Sequence, residues 1–327
     1  MRKILNMLAR TAAALAGTAC LAAAVMAQPA FPSRPLKLIV PFPAGGSSDI
    51  LARAFAEKLQ AELGQPVVVD NRAGGNTVIG TQAAASAKPD GYTILQVTPN
   101  SVTVGSLRSN LPYDLERDFT PVLGVGAVPL MLVVPAMSNT RSIADLAAAA
   151  KTSPSGITYG SGGIGSLGHL VPARFVRDLG VTGTHVPYRG VAPAVQDVAA
   201  GRVQFMFVSS LEGMQMTKTG MVRVLAVTSG QRLPNLPKVP TMAELGFADF
   251  KPVVWYGFMV PAHTPPVITA RLAKAFANAA GDPAMREHLM ALGLSVEIRD
   301  ATAFGKYLRE ETMRWTRVVR DNDIRME

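Results

Sequence analysis

The chain reads as an α/β protein of two lobes. Short Val/Ile/Leu runs alternate with helical patterns along its length, and two Gly/Ser-rich loops each follow such a run and precede a helix. The runs Val67-Val68-Val69, residues 92–97, 131–134, 157–159, 203–207 and 222–227 lack clean two-residue alternation. That is the pattern of a mainly parallel sheet covered on both faces.

Residues 1–27 are set aside first. Arg2 and Lys3 precede an Ala/Leu-rich run ending in Val25-Met26-Ala27, the layout of a cleaved secretory signal. Arg10 and Thr11 interrupt the run, which is short of the ~20 residues needed to span a bilayer. Gly17-Thr18-Ala19-Cys20 offers a lipoprotein alternative, although Gly17 stands where such processing favours a large aliphatic residue. Cleavage after Ala27 leaves 300 residues, no cysteine and a net charge of +6. Disulfide and thiolate chemistry are then excluded, and stability must come from an apolar core that a chain of this length can build. The modest positive charge suits anionic ligands. No dense Lys/Arg block with interleaved aromatics points to nucleic acid.

The first strand, residues 36–40, runs into Pro41-Phe42-Pro43-Ala44-Gly45-Gly46-Ser47-Ser48-Asp49. Adjacent glycines let the backbone turn and let a ligand approach bare amides. Ser48 or Asp49 is expected to cap the next helix, whose free N–H groups and dipole favour a small anion such as a carboxylate. A plain strand-to-helix connection has the same composition. The helix is expected over residues 49–63, with Leu51, Phe55, Leu59 and Leu63 on one face and Gly64 and Pro66 as its stop. Thr98-Pro99-Asn100-Ser101, after the strand at 92–97, is expected as a polar tip at the same sheet edge.

Around residues 121–135 the chain is expected to cross into a second lobe, whose first helix opens with the capping box Ser142-Ile143-Ala144-Asp145. The return crossing falls near residues 253–261. The expected division is therefore 28–127 with 256–327 for one lobe and 128–255 for the other. The tail supplies helices at about 266–280, 283–292 and 302–321.

In the second lobe, Tyr159-Gly160-Ser161-Gly162-Gly163-Ile164-Gly165-Ser166 repeats the logic of the first loop before a helix at 167–178. Gly160, Gly162 and Gly165 match G-x-G-x-x-G by letter. The dinucleotide reading also needs an acidic residue ending the next strand, which instead ends in Pro187-Tyr188-Arg189. No serine sits in a G-x-S-x-G elbow. Ser166 and His169 fall on one side of a helix start, as a capping serine and a packed histidine or as site residues. His169, His185, His263 and His288 lack metal-ligand spacing, so neither metal nor cofactor is expected. Arg189 either pairs with a ligand carboxylate or ties its loop to a neighbouring acid.

Taken together, Pro41 to Asp49, Gly64-Gln65-Pro66-Val67-Val68-Val69-Asp70-Asn71-Arg72, Pro89-Asp90-Gly91-Tyr92, Leu111-Pro112-Tyr113-Asp114, Tyr159-Gly160-Ser161, His185-Val186-Pro187-Tyr188 and Pro240-Thr241 resemble the Bug (TctC-like) family. These are periplasmic substrate-binding proteins of tripartite tricarboxylate transporters. The resemblance implies a type II periplasmic-binding-protein fold: two Rossmann-like lobes, joined by two crossing segments, that close on a small ligand. It implies a small organic carboxylate held by amides and hydroxyls, with no catalysis. Delivery to the membrane subunits of the transporter, a periplasmic location and a monomeric state follow from it as expectations. Carried onto this chain, the ligand-binding positions are Phe42, Gly45, Gly46, Ser47, Ser48, Asp49 and Thr98 from one lobe, and Ser161, Gly162, Ser166, His169 and Ser209 from the other. Many members carry an aspartate just after the strand equivalent to residues 205–207, where it reads an amino group. Here Val208-Ser209-Ser210 follows, which directs the expectation to a non-amino acid. A sensor feeding a two-component receptor and an exported α/β hydrolase are the rival readings.

Overall fold

The computed structural model describes residues 31–108, 110–291, 293–322 and 324. The expected signal peptide and Cys20 lie outside the described residues. The chain divides into two units at Arg34, and the second, beginning at Pro35, carries the α/β fold.

That fold opens with three β-α steps: β1 (Leu36–Val40), α1 (Ser47–Leu63), β2 (Val67–Asn71), α2 (Val78–Ala85), β3 (Thr93–Val97) and α3 (Pro99–Leu107). β1 pairs in parallel with both β2 and β3. Helix α1 buries Leu51, Phe55, Leu59 and Leu63, and ends at Gly64, whose φ of 70° lets its N–H reach the Gln60 carbonyl at 3.0 Å. Helix α3 corrects the polar tip expected at 98–101. Its Ser/Thr/Gly-rich sequence carries no apolar stripe, but Pro99 is preset for a first helical turn.

β4 (Phe119–Pro135) then runs for 17 residues. Its first part pairs antiparallel with β9 (Val253–Pro261) and with β10 (Ser295–Arg299), and its last six residues pair with β7 (Phe205–Ser209) and β8 (Val222–Val227). Between those strands come α4 (Ile143–Thr152), β5 (Ile157–Ser161), α5 (Leu167–Asp178), β6 (Gly183–Pro187), α6 (Val191–Ala199) and α7 (Ser210–Lys218). β5 lies parallel to both β6 and β7. The strand order is β2-β1-β3-β9-β4-β7-β5-β6, with β10 and β8 both attached to β4. The two crossing segments are thus strands of one continuous sheet. Ser142 accepts the Asp145 amide at 3.1 Å, and the Asp145 carboxylate accepts the Arg141 amide at 2.8 Å.

The tail forms α8 (Pro266–Gly281), α9 (Pro283–Ala291) and α10 (Ala301–Asp321), with β10 as a strand the apolar pattern did not reveal. Helix α10 buries Phe304, Leu308, Glu311, Trp315 and Val319, a stripe at helical spacing. Phe304 and Leu308 join the core around Ile39, Leu95 and Trp255, and Trp315 and Val319 join the one around Phe175, Phe205 and Phe207. One helix therefore seals both cores.

Candidate functional site

The first loop is latched from within. Gly45 has φ of +83°, a conformation that glycine adopts without strain. Its amide donates to Asp49 Oδ2 at 2.9 Å, and Arg53 Nε donates to the same oxygen at 2.9 Å. Burial works against the Asp49 charge, but Arg53, the Gly45 amide and Asn71 outweigh it and hold the carboxyl below its ordinary range. Two expectations change. The helix cap is Gly46, with no capping side chain, instead of Ser48 or Asp49. The Gly45 amide is occupied by Asp49, so both residues shape the loop. Asn71 ties the turn by donating to the Phe42 carbonyl at 3.2 Å, and Gln96 Nε2 donates to the Ser48 carbonyl at 3.1 Å.

The second loop is held by two imidazoles. Ser161 Oγ lies 2.7 Å from His185 Nε2 and accepts the Gly163 amide at 3.1 Å. His169 Nδ1 accepts the Gly165 amide at 3.1 Å. Burial lowers His169 to about 4; burial, with the neighbouring His169, lowers His185 to about 3. Both rings are therefore neutral near pH 7, as acceptor duty requires of His169. Ser166 starts α5, but its hydroxyl donates to the Gly163 carbonyl at 2.7 Å instead of capping the helix. Tyr188 spends its hydroxyl on Asp197, donating at 2.6 Å, and Arg189 is exposed.

Polar contacts join the two sides. Asn100 Oδ1 on α3 accepts the Leu167 amide at 3.0 Å, taking the capping role that Ser166 leaves open, and Thr103 Oγ1 donates to the Gly165 carbonyl at 2.9 Å. A third contact comes from α7. Ser209 Oγ donates to Glu212 Oε2 at 2.9 Å, and the Glu212 carboxyl also faces the Ser47 amide at the start of α1. Burial raises the Glu212 pKa, opposed by Ser209 and the Ser47 amide. Beside it Tyr256 Oη is buried without a hydrogen-bond partner, next to Ser47 and Ser48. Gln96 Oε1 and Thr98 Oγ1 are likewise buried and unpartnered.

The structure thus gathers Phe42, Gly45 to Asp49 and Thr98 around the start of α1 and α3, and Ser161 to His169 around the start of α5, with Ser209 at the α7 end of the seam. Sequence reading placed Asn100 in the polar tip without giving it a role, and missed Gln96, Tyr256 and Glu212. Ser209-Ser210-Leu211-Glu212 carries the S-x-x-E capping signature and was the one available signal. The acidic side chain missing from Val208-Ser209-Ser210 reappears one helical turn later as Glu212.

Residues 51–324 match the model of the tripartite tricarboxylate transporter family receptor, TctC. The chain belongs to this family. It is 37% identical over 312 residues to protein BugT of Bordetella pertussis, covering 95% of both chains. Among solved structures, the periplasmic binding protein BugD superposes with a TM-score of 0.84 at 32% identity, over 91% of this chain and all of that one. A protein of R. palustris with adipate superposes with a TM-score of 0.85 at 33% identity, over 90% and 99%. The fold has two lobes, and the solved structures that superpose on it include a periplasmic binding protein and two proteins recorded with dicarboxylates, adipate and malate. No described helix of this TctC protein is long and apolar enough to cross a membrane.

Proposed function

We propose that this protein captures a small carboxylate-bearing solute between its lobes and delivers it to the membrane subunits of a tripartite tricarboxylate transporter. The reading divides the chain into residues 28–127 with 256–327 and residues 128–255. It places the protein in the periplasm after cleavage of residues 1–27. The supporting observation is the pair of Gly/Ser-rich loops at the starts of α1 and α5, joined across the seam by Asn100, Thr103 and Glu212. Helix starts carry partial positive charge, which suits a carboxylate. A relative carrying adipate agrees in chemical class. Binding is capture by closure: the ligand stabilises the state in which both loops touch it. Binding, positioning and release need no nucleophile or metal, in keeping with a carrier.

A thermal-shift screen of the protein, refolded from denaturant, against mono-, di- and tricarboxylates, aromatic acids and amino acids tests this. A ligand that binds only the folded state at 100 times its Kd adds about 2.7 kcal/mol, a shift of several degrees. Absence of a shift with every acid overturns carboxylate capture.

A further inference from the structure

We propose that the cavity between α7 and α9 is a second ligand site, taking a small monocarboxylic acid with an apolar chain or ring. None of its lining residues belongs to the two Gly/Ser-rich loops.

The cavity has a volume of about 640 Å³. Small-molecule sites run from roughly 300 to 1,000 Å³. Met214 on α7, Leu233 and Pro234 after β8, and Met290 on α9 give it apolar walls, where flexible thioethers fit a chain or the edge of a ring. Its polar groups are few. Ser210, in the first turn of α7, lines it at 1% exposed, and its hydroxyl is buried without a hydrogen-bond partner. Such groups are ordinarily satisfied in folded proteins. The neighbouring wall position is Gly293, where any side chain would press on that hydroxyl: a Cβ there would stand 3.1 Å from Ser210 Oγ. Arg286 also lines the cavity, is exposed, and makes no ion pair among the described residues. A guanidinium only donates and a hydroxyl can donate, so the polar group that suits both is a negatively charged acceptor. Glu287, beside Arg286 on the same wall, repels a second carboxylate and so favours an acid with one. Helix α7 reaches both sites, because Ser209 stands at the seam and Ser210, the next residue, lines the cavity.

Octanoate and hydrocinnamate, a chain and a ring, are the probes. They are titrated into the refolded protein carrying methyl-labelled methionine and followed by NMR, with Met214→Leu and Met290→Leu assigning the two signals. Both signals should shift with at least one probe and saturate below about 1 mM, while those of the exposed Met137 and Met313, which do not line the cavity, stay in place. Octanol keeps the chain and lacks the charge, and should bind at least tenfold more weakly than octanoate. Arg286→Gln should bring that gap under threefold. Ser210→Ala should weaken the acid at least threefold without lowering the melting temperature, since it removes a hydroxyl with no partner in the fold; a purely structural serine would move the melting temperature and leave the affinity alone. Ala291→Trp, at an exposed lining position, should fill the space and abolish the shifts. Absence of a saturating shift at Met214 and Met290, shifts that persist in Ala291→Trp, or octanol bound as tightly as octanoate overturns the proposal. An affinity unmoved by both Arg286→Gln and Ser210→Ala overturns it as well. Carboxylate capture by the loops is read separately, by the thermal-shift screen.

Discussion

The rings of His169 and His185 lie face to face, 3.7 Å between centroids and 8° from parallel, with Tyr159 stacked on the His185 ring at 5.2 Å. The arrangement requires neutral imidazoles, because two cations at this spacing repel and a protonated His169 Nδ1 no longer accepts the Gly165 amide. Both values are lowered in the fold, to about 4 and about 3, from 6.5 in the unfolded chain. Below pH 6.5 the unfolded state therefore binds more protons, and stability falls as pH falls. The slope approaches about 1.4 kcal/mol per pH unit for each histidine between about pH 6 and its folded value, and vanishes once that value is passed. Urea unfolding at a series of pH values should show this slope, and His169→Gln with His185→Gln should flatten it.

Gly46 is the place to separate fold from binding. Its backbone is extended, with φ of −82°, and a Cβ there meets only the Pro43 carbonyl, at 3.7 Å. Gly46→Val should cost about 1 kcal/mol of stability or less. It should weaken capture of the acid found by thermal shift tenfold or more, because the branched side chain stands where a carboxylate approaches bare amides. Calorimetry beside a melting curve reads both effects. Unchanged affinity would remove the first loop from the site.

Glu311 anchors the closing helix. It is 2% exposed, and its Oε2 accepts both indole N–H groups of the protein, Trp255 at 2.9 Å and Trp315 at 3.1 Å. Arg314 Nη1 approaches the other oxygen at 2.8 Å from a largely exposed position. Glu311→Leu leaves two buried donors unpaired, at about 1–3 kcal/mol each, and the melting temperature should drop by roughly 5–15 °C. Glu311→Gln keeps an acceptor and should lose less. Both tryptophans report the change directly in the fluorescence spectrum.

Phe304 lies over two glycines of adjacent strands. A Cβ on Gly124 would come within 2.8 Å of the ring, and one on Gly257 would collide with its far edge. Gly257→Ala should therefore destabilise by about 1–3 kcal/mol through overpacking. Adding Phe304→Leu should return part of the loss, because it vacates the colliding atoms. A double-mutant cycle in urea measures this coupling. Additive losses would show that the ring and the glycine do not interact.

The elements legible in the sequence were those whose own side chains carry the signal. Leu51, Phe55, Leu59 and Leu63 announce α1 by spacing, Gly64 announces its end, and α5 begins and ends where its pattern does. Helix α3 was invisible because it is buried on several sides and packs through Thr, Ser and Val instead of a stripe. β4 read as a crossing rather than one strand because Gly124, Gly126 and Pro129 look like breaks. In the fold they sit at bulges and pairings with β9 and β10. The two loops were found by composition. Their internal bonds were not, since Asp49 to Gly45 and Ser161 to His185 depend on which side chains the turns bring together. Glu212 was missed for the same reason, as its partner Ser47 is remote in sequence and reached only through the seam.

β4 contributes to the sheet on both sides of the molecule, and β9 and α10 run beside it. Neither lobe owns these elements. A lobe expressed alone would end in a raw strand edge with its ladder half made and an apolar helix stripe half covered. Recombination between relatives therefore cannot treat the lobes as interchangeable cassettes. Swapped halves would have to bring matching copies of this shared spine, so changes of ligand are more readily reached by substitution in the loops than by exchange of whole lobes.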